Sequence, residues 1–163
     1  MKTVKKLFPM GWIMILLMLP ALTALTPSGP TIKKEQARRV IRKTATIILV
    51  AHKKVKEGKV YTGNLARAIA HQKFAVRLYR AGEYFRAIHH SRRARFLAIE
   101  AIKANKGVEM TEWKMSKEEE ESMANGPKED ELDKNLAKEM PAEPTKDEDV
   151  MGTQPAVDLN DNE

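Results

Sequence analysis

Apolar residues between positions 33 and 56 recur at every third or fourth position, a spacing that predicts an amphipathic helix. The residues on its apolar face would be Ala37, Val40, Ile41, Thr44, Ile47, Ile48, Ala51 and Val55. The run from Thr46 to Val50 would also suit a strand, but the charged residues at both ends keep the helical period, so we favour a helix. Gly58 should end this helix after a basic last turn, which suits the negative end of the helix dipole.

The same period continues in two further stretches and predicts a second and a third helix. The second should run from Leu65 to Arg80 with Asn64 as its N-cap, and Gly82 should stop it because glycine adopts the left-handed conformation without strain. The third should run from about Glu83 to Ala104, and Asn105-Lys106-Gly107 should end it. The inward-facing residues would be Ala66, Ile69, Ala70, Phe74, Ala75 and Leu78, then Ala87, Ile88, Ser91, Ala94, Ala98, Ala101 and Ile102.

Residues 1–28 follow a different pattern. Three lysines precede an uncharged stretch from Leu7 to Leu25, and small residues follow. A positive start, a short apolar centre and a small-residue exit are typical of a secretory signal peptide. The alternative is an uncleaved inner-membrane anchor, but the apolar run reaches the roughly 20 residues of a span only by including Pro9 and Pro20. We therefore expect cleavage between residues 23 and 29 and export to the periplasm or the medium.

Charge divides the rest of the chain into two parts. Residues 31–113 carry 20 basic and 6 acidic residues, a net charge of +14, and form the predicted basic helical module. Residues 114–163 carry 6 basic and 16 acidic residues, a net charge of −10. The module and the tail have opposite charges, and the full chain of 163 residues has a net charge of +7.

The acidic tail, residues 114–163, contains four prolines and few large apolar residues, so burial cannot offset its chain entropy. We expect no fixed structure there, with only transient helix at residues 117–123 and 131–140. Two roles for the tail stay open. It could act as a solubilising extension, or it could fold back on the basic module and compete with an anionic partner, an attraction that salt would weaken.

Residues 75–88, AVRLYRAGEYFRAI, resemble the middle of a tetratricopeptide-type helix pair. The resemblance is carried by Ala75, Leu78, Gly82-Glu83-Tyr84 at the turn, Ala87 and Ala94. It covers about residues 68–104, a single repeat, and Ser91 stands where the family usually has a bulky aromatic residue. The resemblance implies an antiparallel helical hairpin that binds protein on a concave face. Residues 62–105 are also similar to small exported bacterial proteins of no known role.

The chemistry of the chain argues against an enzyme. The absence of cysteine excludes disulfides, thiolate metal sites and cysteine nucleophiles. There is no nucleophile-elbow serine and no glycine-rich phosphate loop, and most acidic residues lie in the tail. His89 and His90 are adjacent and point about 100° apart on a helix, so they cannot form a helical metal-ligand pair, and we expect no cofactor. A metal site made by distant histidines, with His52 and His71, stays an alternative.

Basic residues supply the strongest functional pattern. Arg86, His89, His90 and Arg93 share one face of the third helix, and Lys73, Arg77 and Arg80 line one face of the second. Such a surface attracts carboxylates and phosphates. The residues expected to bind a partner are Arg77, Arg80, Arg86, His89, Arg92 and Arg93, with Tyr79 and Tyr84 at the turn.

The predicted function is that of a non-enzymatic, exported, all-α interaction module whose basic hairpin face binds an acidic partner. That partner would be an acidic protein or an anionic component of the envelope, such as a lipid headgroup at the membrane surface or a glycan. The alternatives are a membrane-anchored, nucleic-acid-associated protein, against which export argues, and a histidine-based metal-binding protein. A homodimer would cover the apolar edge that a single helix pair leaves open.

Overall fold

The computed structural model describes residues 30–124, 126–152 and 154–159, and in these parts of the chain it is all helical, as predicted. The five helices are α1 (Pro30–Gly58), α2 (Asn64–Arg80), α3 (Tyr84–Ala104), α4 (Lys117–Ala124) and α5 (Glu129–Glu139). Short 3₁₀ turns lie at Thr111–Trp113 and Asp147–Val150. The predicted signal peptide, residues 1–28, lies outside the described residues. Among the described helices, none combines the length and the apolar character that a membrane crossing requires.

Helices α1, α2 and α3 pack around an apolar core, which confirms the predicted pattern. Every residue that we predicted to face inward is buried, with at most 5% of its surface exposed. The segment Thr46–Val50, for which a strand was the alternative, lies inside α1. The tetratricopeptide-like character of the α2–α3 pair stays a prediction, since a short turn between two helices is common to many all-α folds.

The two tight turns of the bundle use glycine for different reasons. Gly82 stops α2 as predicted, because it adopts the left-handed conformation (φ +80°) while the Glu83 amide donates to the Leu78 carbonyl at 2.9 Å. Gly58 ends α1, but the left-handed residue there is Lys59 (φ +57°). Glycine is needed at position 58 because a Cβ would lie 2.3 Å from the Asn105 side-chain oxygen.

The N-terminus of α2 differs from the prediction. Asn64 is the first helical residue and not the N-cap, which is Gly63 (φ +78°) and has no side chain to cap with. The carboxylate of Asp147 takes this role instead. It accepts hydrogen bonds from the amides of Thr62 and Gly63 at 2.8 Å and of Ala66 at 2.9 Å. A fully buried acidic residue from far along the chain therefore caps α2.

The tail also differs from the prediction, because the structure places its two helices and the second 3₁₀ turn against the bundle. Leu132 and Val157 are buried there, although such apolar residues are few. The expected transient helices at residues 117–123 and 131–140 overlap α4 and α5. The expectation of disorder rested on the small number of apolar residues in the tail. In the structure the carboxylates of the tail contact fixed cations on the bundle, as in the alternative in which the tail folds back on the module, and these contacts compensate part of the entropy lost on ordering.

Candidate functional site

Helix α5 lies across one face of α2 and α3 that is rich in basic residues and histidine. We call this surface the basic groove, and it consists of Arg67, His71, Lys73 and Arg77 of α2 with Arg86, His90 and Arg93 of α3. We call residues 126–150 the acidic segment. Helical spacing brings the groove residues to one side of the helix pair, since residues three, four and seven positions apart share a face.

Asp133 is the central contact of the acidic segment. Its carboxylate accepts hydrogen bonds from Arg67, from His71 Nε2 at 2.9 Å, and from Arg93 through Nη2 at 2.9 Å and Nε at 3.1 Å. Arg93 also donates to Glu129, one helical turn earlier. Burial opposes the charged carboxylate, but hydrogen bonds from Arg93 and His71 and the charges of Arg93 and Arg67 outweigh it, so the pKa of Asp133 is lowered. The carboxylate stays ionised in the groove.

Two buried histidines, His71 and His90, orient the ring nitrogen that donates to Asp133. Burial lowers the pKa of His71 to about 4, although Asp133 acts in the opposite direction, and burial with the adjacent His71 lowers the pKa of His90 to about 3. Both rings are therefore neutral at pH 7. His71 donates to Asp133 from Nε2, so its Nδ1 accepts from Nδ1 of His90 at 3.0 Å. The ring of Phe74 packs edge-on against His90, with centroids 4.5 Å apart. We call the three donors to Asp133, which are Arg67, His71 and Arg93, the Asp133 socket, and all three belong to the bundle.

Glu139 makes the second contact, at the end of α5. It accepts from Arg77 at 3.2 Å and from Arg86 at 2.5 Å. The two guanidinium carbons lie 4.9 Å and 5.6 Å from the ring centroid of Phe74, so the aromatic face helps to fix the cations. Arg86 also donates to Glu83, the N-cap residue of its own helix, at 2.6 Å. This contact is more exposed than that of Asp133 and should be weaker.

The chain reverses after α5 and runs back along α2. Lys73 donates to Glu143 at 2.8 Å, and Asp147 then reaches the N-terminus of α2. Two prolines, Pro141 and Pro144, lie in the reversal and are compatible with its non-helical backbone. The acidic segment therefore places carboxylates along the length of α2, first in one direction and then in the other.

Helix α4 is attached through a separate, buried ion pair. The Arg95 guanidinium donates to both carboxylate oxygens of Glu119, at 3.1 Å and 3.2 Å, and to Thr44 at 3.3 Å. The Arg92 Nε lies 3.8 Å from the same carboxylate. Burial opposes ionisation of Glu119, but the hydrogen bonds from Arg95 and the Ser116 amide outweigh it, so its pKa is lowered. This pair fastens the start of the tail to α1 and α3.

His89 lies beneath the turn that joins α4 and α5. It is fully buried, and neither ring nitrogen has a hydrogen-bond partner among the residues that the structure describes. Phe85 packs against the ring, with centroids 4.4 Å apart. Gly126 covers it so closely that a Cβ there would lie 2.2 Å from Cε1. Burial, assisted by the charge of Arg92, lowers the pKa of His89 to about 4. Coverage by the turn therefore favours the neutral ring over the protonated one.

The residues predicted to bind a partner fall into three sets. Arg77, Arg86 and Arg93 line the basic groove and contact acidic residues of the tail. His89 and Arg92 are buried below the groove surface. The remaining three lie at or beside the α2–α3 turn: Tyr79 and Tyr84 pack edge-to-face with centroids 5.4 Å apart, and Arg80 is exposed.

Arg67 and His71 also line the site, although they were not among the residues predicted to bind a partner. A signal was present, because these residues lie four positions apart and share a helical face with Phe74 and Arg77. Nothing in the local sequence distinguishes Asp133 from the other acidic residues of the tail.

Comparisons with protein-family models, with curated proteins and with solved structures find no match to this chain. Within the described part of the chain, no group of three or more histidine, aspartate or glutamate residues is arranged to hold a metal ion. The basic groove, with the acidic segment lying in it, is the candidate functional site.

Proposed function

We propose that this protein is a non-enzymatic interaction module that binds an acidic protein partner through the basic groove, and that its own acidic segment occupies the groove until the partner displaces it. The contact that carries the proposal is Asp133, whose carboxylate accepts hydrogen bonds from two arginines and one buried histidine. Those donors are supplied by the bundle, and an acidic side chain of another protein would satisfy them equally well.

The acidic segment is held in a way that permits displacement. Its outer ion pairs, such as those of Arg77 and Lys73, are partly exposed, and pairs of that kind contribute about 1 kcal/mol or less each. The chain connection compensates for this weakness, because a flexible link gives an effective concentration on the order of millimolar. A partner with moderate affinity at high local concentration, or with better apolar contacts, would compete with the segment.

The pattern of residues 1–28 supports export, so the partners that we propose are acidic proteins of the envelope or the medium. The weak tetratricopeptide resemblance of α2 and α3 agrees with protein binding. Anionic lipid and glycan carry the same charge, but neither places apolar side chains between its charged groups, as the acidic segment does at Leu132 and Leu136. We therefore favour a protein partner.

The test uses a full-length variant in which the acidic segment makes fewer contacts with the groove, and we call it the loosened variant. The double variant Asp133→Asn with Glu139→Gln removes two charges that contact the groove. The matched control, Glu131→Gln with Glu148→Gln, removes two exposed charges and changes the net charge equally. Fluorescence anisotropy with labelled poly-L-glutamate at low salt measures affinity, and circular dichroism confirms that both variants are folded.

We expect the loosened variant to bind poly-L-glutamate roughly ten-fold more tightly than the control, a difference of about 1.4 kcal/mol. Adding Arg77→Gln and Arg86→Gln to the loosened variant should remove the gain, because these cations line the groove. Equal affinity of the loosened variant and the control would contradict the proposal, since net charge alone would then explain binding. A gain for anionic vesicles without one for poly-L-glutamate would also contradict it and would indicate a lipid partner.

A further inference from the structure

The residues by which α5 contacts the groove follow a single helical face. Acidic contacts occur at Glu129, Asp133 and Glu139, while buried or partly buried apolar residues lie beside them at Leu132, Leu136 and Met140. Relative to Glu129, these positions are i+3, i+4, i+7, i+10 and i+11, all of which fall on one stripe of a helix. The groove therefore contacts a helix in a defined register and not merely a negatively charged chain.

The three acidic positions differ in how strictly the groove selects them. Asp133 enters a socket whose donors, His71 and Arg93, are buried. His71 is held by a hydrogen bond from His90, and the guanidinium carbon of Arg93 lies 5.6 Å from the ring centroid of Phe96. Replacement of this carboxylate would leave buried donors without an acceptor. Glu139 contacts the guanidinium groups of Arg77 and Arg86, which lie nearer the surface and can follow a carboxylate over some distance. Glu129 is itself more than half exposed and shares Arg93 with Asp133. Asp133 therefore fixes the register, and the other two acids add attraction.

The apolar side of the stripe is equally specific. Leu132 is almost fully buried, with 2% of its surface exposed. Leu136 and Met140 pack against the cluster that contains Phe74, Ala75 and Leu78. A helix with leucine at these positions buries apolar surface at about 25 cal/mol per Å². An acidic helix without this stripe would retain the charge contacts and lose the burial.

We propose that the groove binds acidic amphipathic helices of other proteins in the register in which it holds α5, with an acidic residue in the Asp133 socket and apolar residues three positions after Glu129 and three after Asp133. This inference rests on the proposed function and adds the class of partner. The occupant is thus a helix with the pattern acid-x-x-apolar-acid-x-x-apolar-x-x-acid-apolar, read from Glu129 to Met140.

Synthetic peptides provide the test, with the loosened full-length variant, Asp133→Asn with Glu139→Gln, as the receptor. The reference peptide has the sequence of residues 126–150. In the register control, Leu132 exchanges places with Glu131 and Leu136 with Asn135. This control keeps composition and net charge and turns both leucines about 100° away from the groove.

Three further peptides separate the socket from net charge and the helix from an extended chain. Peptides with Asp133→Asn or with Glu131→Gln each lose one charge, but only the first loses the socket contact. A lactam bridge between the exposed side chains of Asp130 and Lys134 fixes the helix without touching the contact face. Isothermal titration calorimetry at one fixed salt concentration measures the affinities.

We expect the reference peptide to bind at least about ten-fold more tightly than the register control, and the lactam peptide to bind more tightly still because its helix is already formed. The Asp133→Asn peptide should lose about ten-fold more affinity than the Glu131→Gln peptide. Equal affinities of reference and register control would overturn this inference and leave the proposed function intact. Absence of binding by every peptide, with poly-L-glutamate still bound, would overturn it as well. Failure of both peptides and poly-L-glutamate would contradict the proposed function itself.

Discussion

The bundle of α1–α3 and the acidic segment are stabilised by different forces. The bundle buries an apolar core, and hydrophobic burial is non-directional and little affected by physiological salt. The acidic segment buries few apolar residues and contacts the groove through carboxylates, whose exposed pairs are screened over roughly 8 Å at 0.15 M salt. The difference implies that the segment can leave the groove while the bundle stays folded. Each of the following predictions tests that separation.

The largest expected effect comes from the core. Phe74 is fully buried between the bundle and the groove, so Phe74→Ala should lower the free energy of unfolding by about 3–5 kcal/mol. Denaturation with urea, followed by circular dichroism, measures the loss. The control is Phe96→Ala, which removes a ring that is 49% exposed and should cost about 1 kcal/mol or less. Similar losses of unfolding free energy in the two variants would show that burial of Phe74 stabilises the chain no more than an exposed ring does.

The second-largest expected effect is release of the acidic segment from the groove on acidification. The pKa of His71 and of His89 is about 4 in the docked state, against an ordinary value of 6.5. We call the acidic segment docked when it occupies the groove and released when it does not. When release exposes the two rings, they bind protons between pH 6.5 and 4 that they do not bind in the docked state. Docking therefore weakens as the pH falls through this range. Each histidine contributes up to about 3 kcal/mol to the loss. The lowered pKa of Asp133 acts in the same direction at still lower pH.

Hydrogen exchange of the α5 amides at pH 7 and at pH 5, corrected for the intrinsic exchange rate at each pH, measures this effect. The variant His89→Gln keeps a neutral polar side chain at every pH and should reduce the difference between the two pH values. The exposed Glu131→Gln should leave the difference unchanged. Equal protection of the wild-type α5 amides at both pH values would show that the buried histidines are not coupled to docking.

The cap on α2 gives a smaller effect. Asp147→Ala leaves the amides of Thr62, Gly63 and Ala66 without their acceptor and should destabilise the folded chain by about 1–2 kcal/mol. Thermal denaturation measures the change. Glu148→Ala, one residue further and exposed, should change stability by no more than about 0.5 kcal/mol. If Asp147→Ala leaves the stability unchanged, water or another group must cap the helix.

The smallest expected effect lies at the outer ion pairs. Glu139→Gln removes the charge that Arg77 and Arg86 share, but these groups are partly exposed, so docking should weaken by about 1 kcal/mol or less. Salt should abolish the difference from wild type. Hydrogen exchange of the α5 amides at 0.05 M and 0.5 M salt checks both statements, and a difference that persists at high salt would contradict them.

The sequence predicted the bundle well and the tail poorly, for one physical reason. A helix with period 3.6 must bury its apolar stripe, so residues such as Ile41 and Ile102 could be assigned to the core without knowing their neighbours. A carboxylate in a charge-rich tail carries no such constraint. Whether Asp133 stays in solvent or binds Arg93 depends on the shape of a surface formed elsewhere. The same limit applies to Asp147, which caps a helix 81 residues earlier in the chain at Ala66.

The central claim is that the acidic segment occupies the groove, and hydrogen–deuterium exchange of wild type and Asp133→Asn tests it most directly. The account predicts that amides of α5 are protected in wild type at low salt, and that Asp133→Asn accelerates their exchange while amides in the core of α2 and α3 keep theirs. Glu131→Gln, with the same change in charge, should behave like wild type. Exchange of α5 at the rate of an unfolded chain in wild type, or equal protection in the wild type and in Asp133→Asn, would contradict the account.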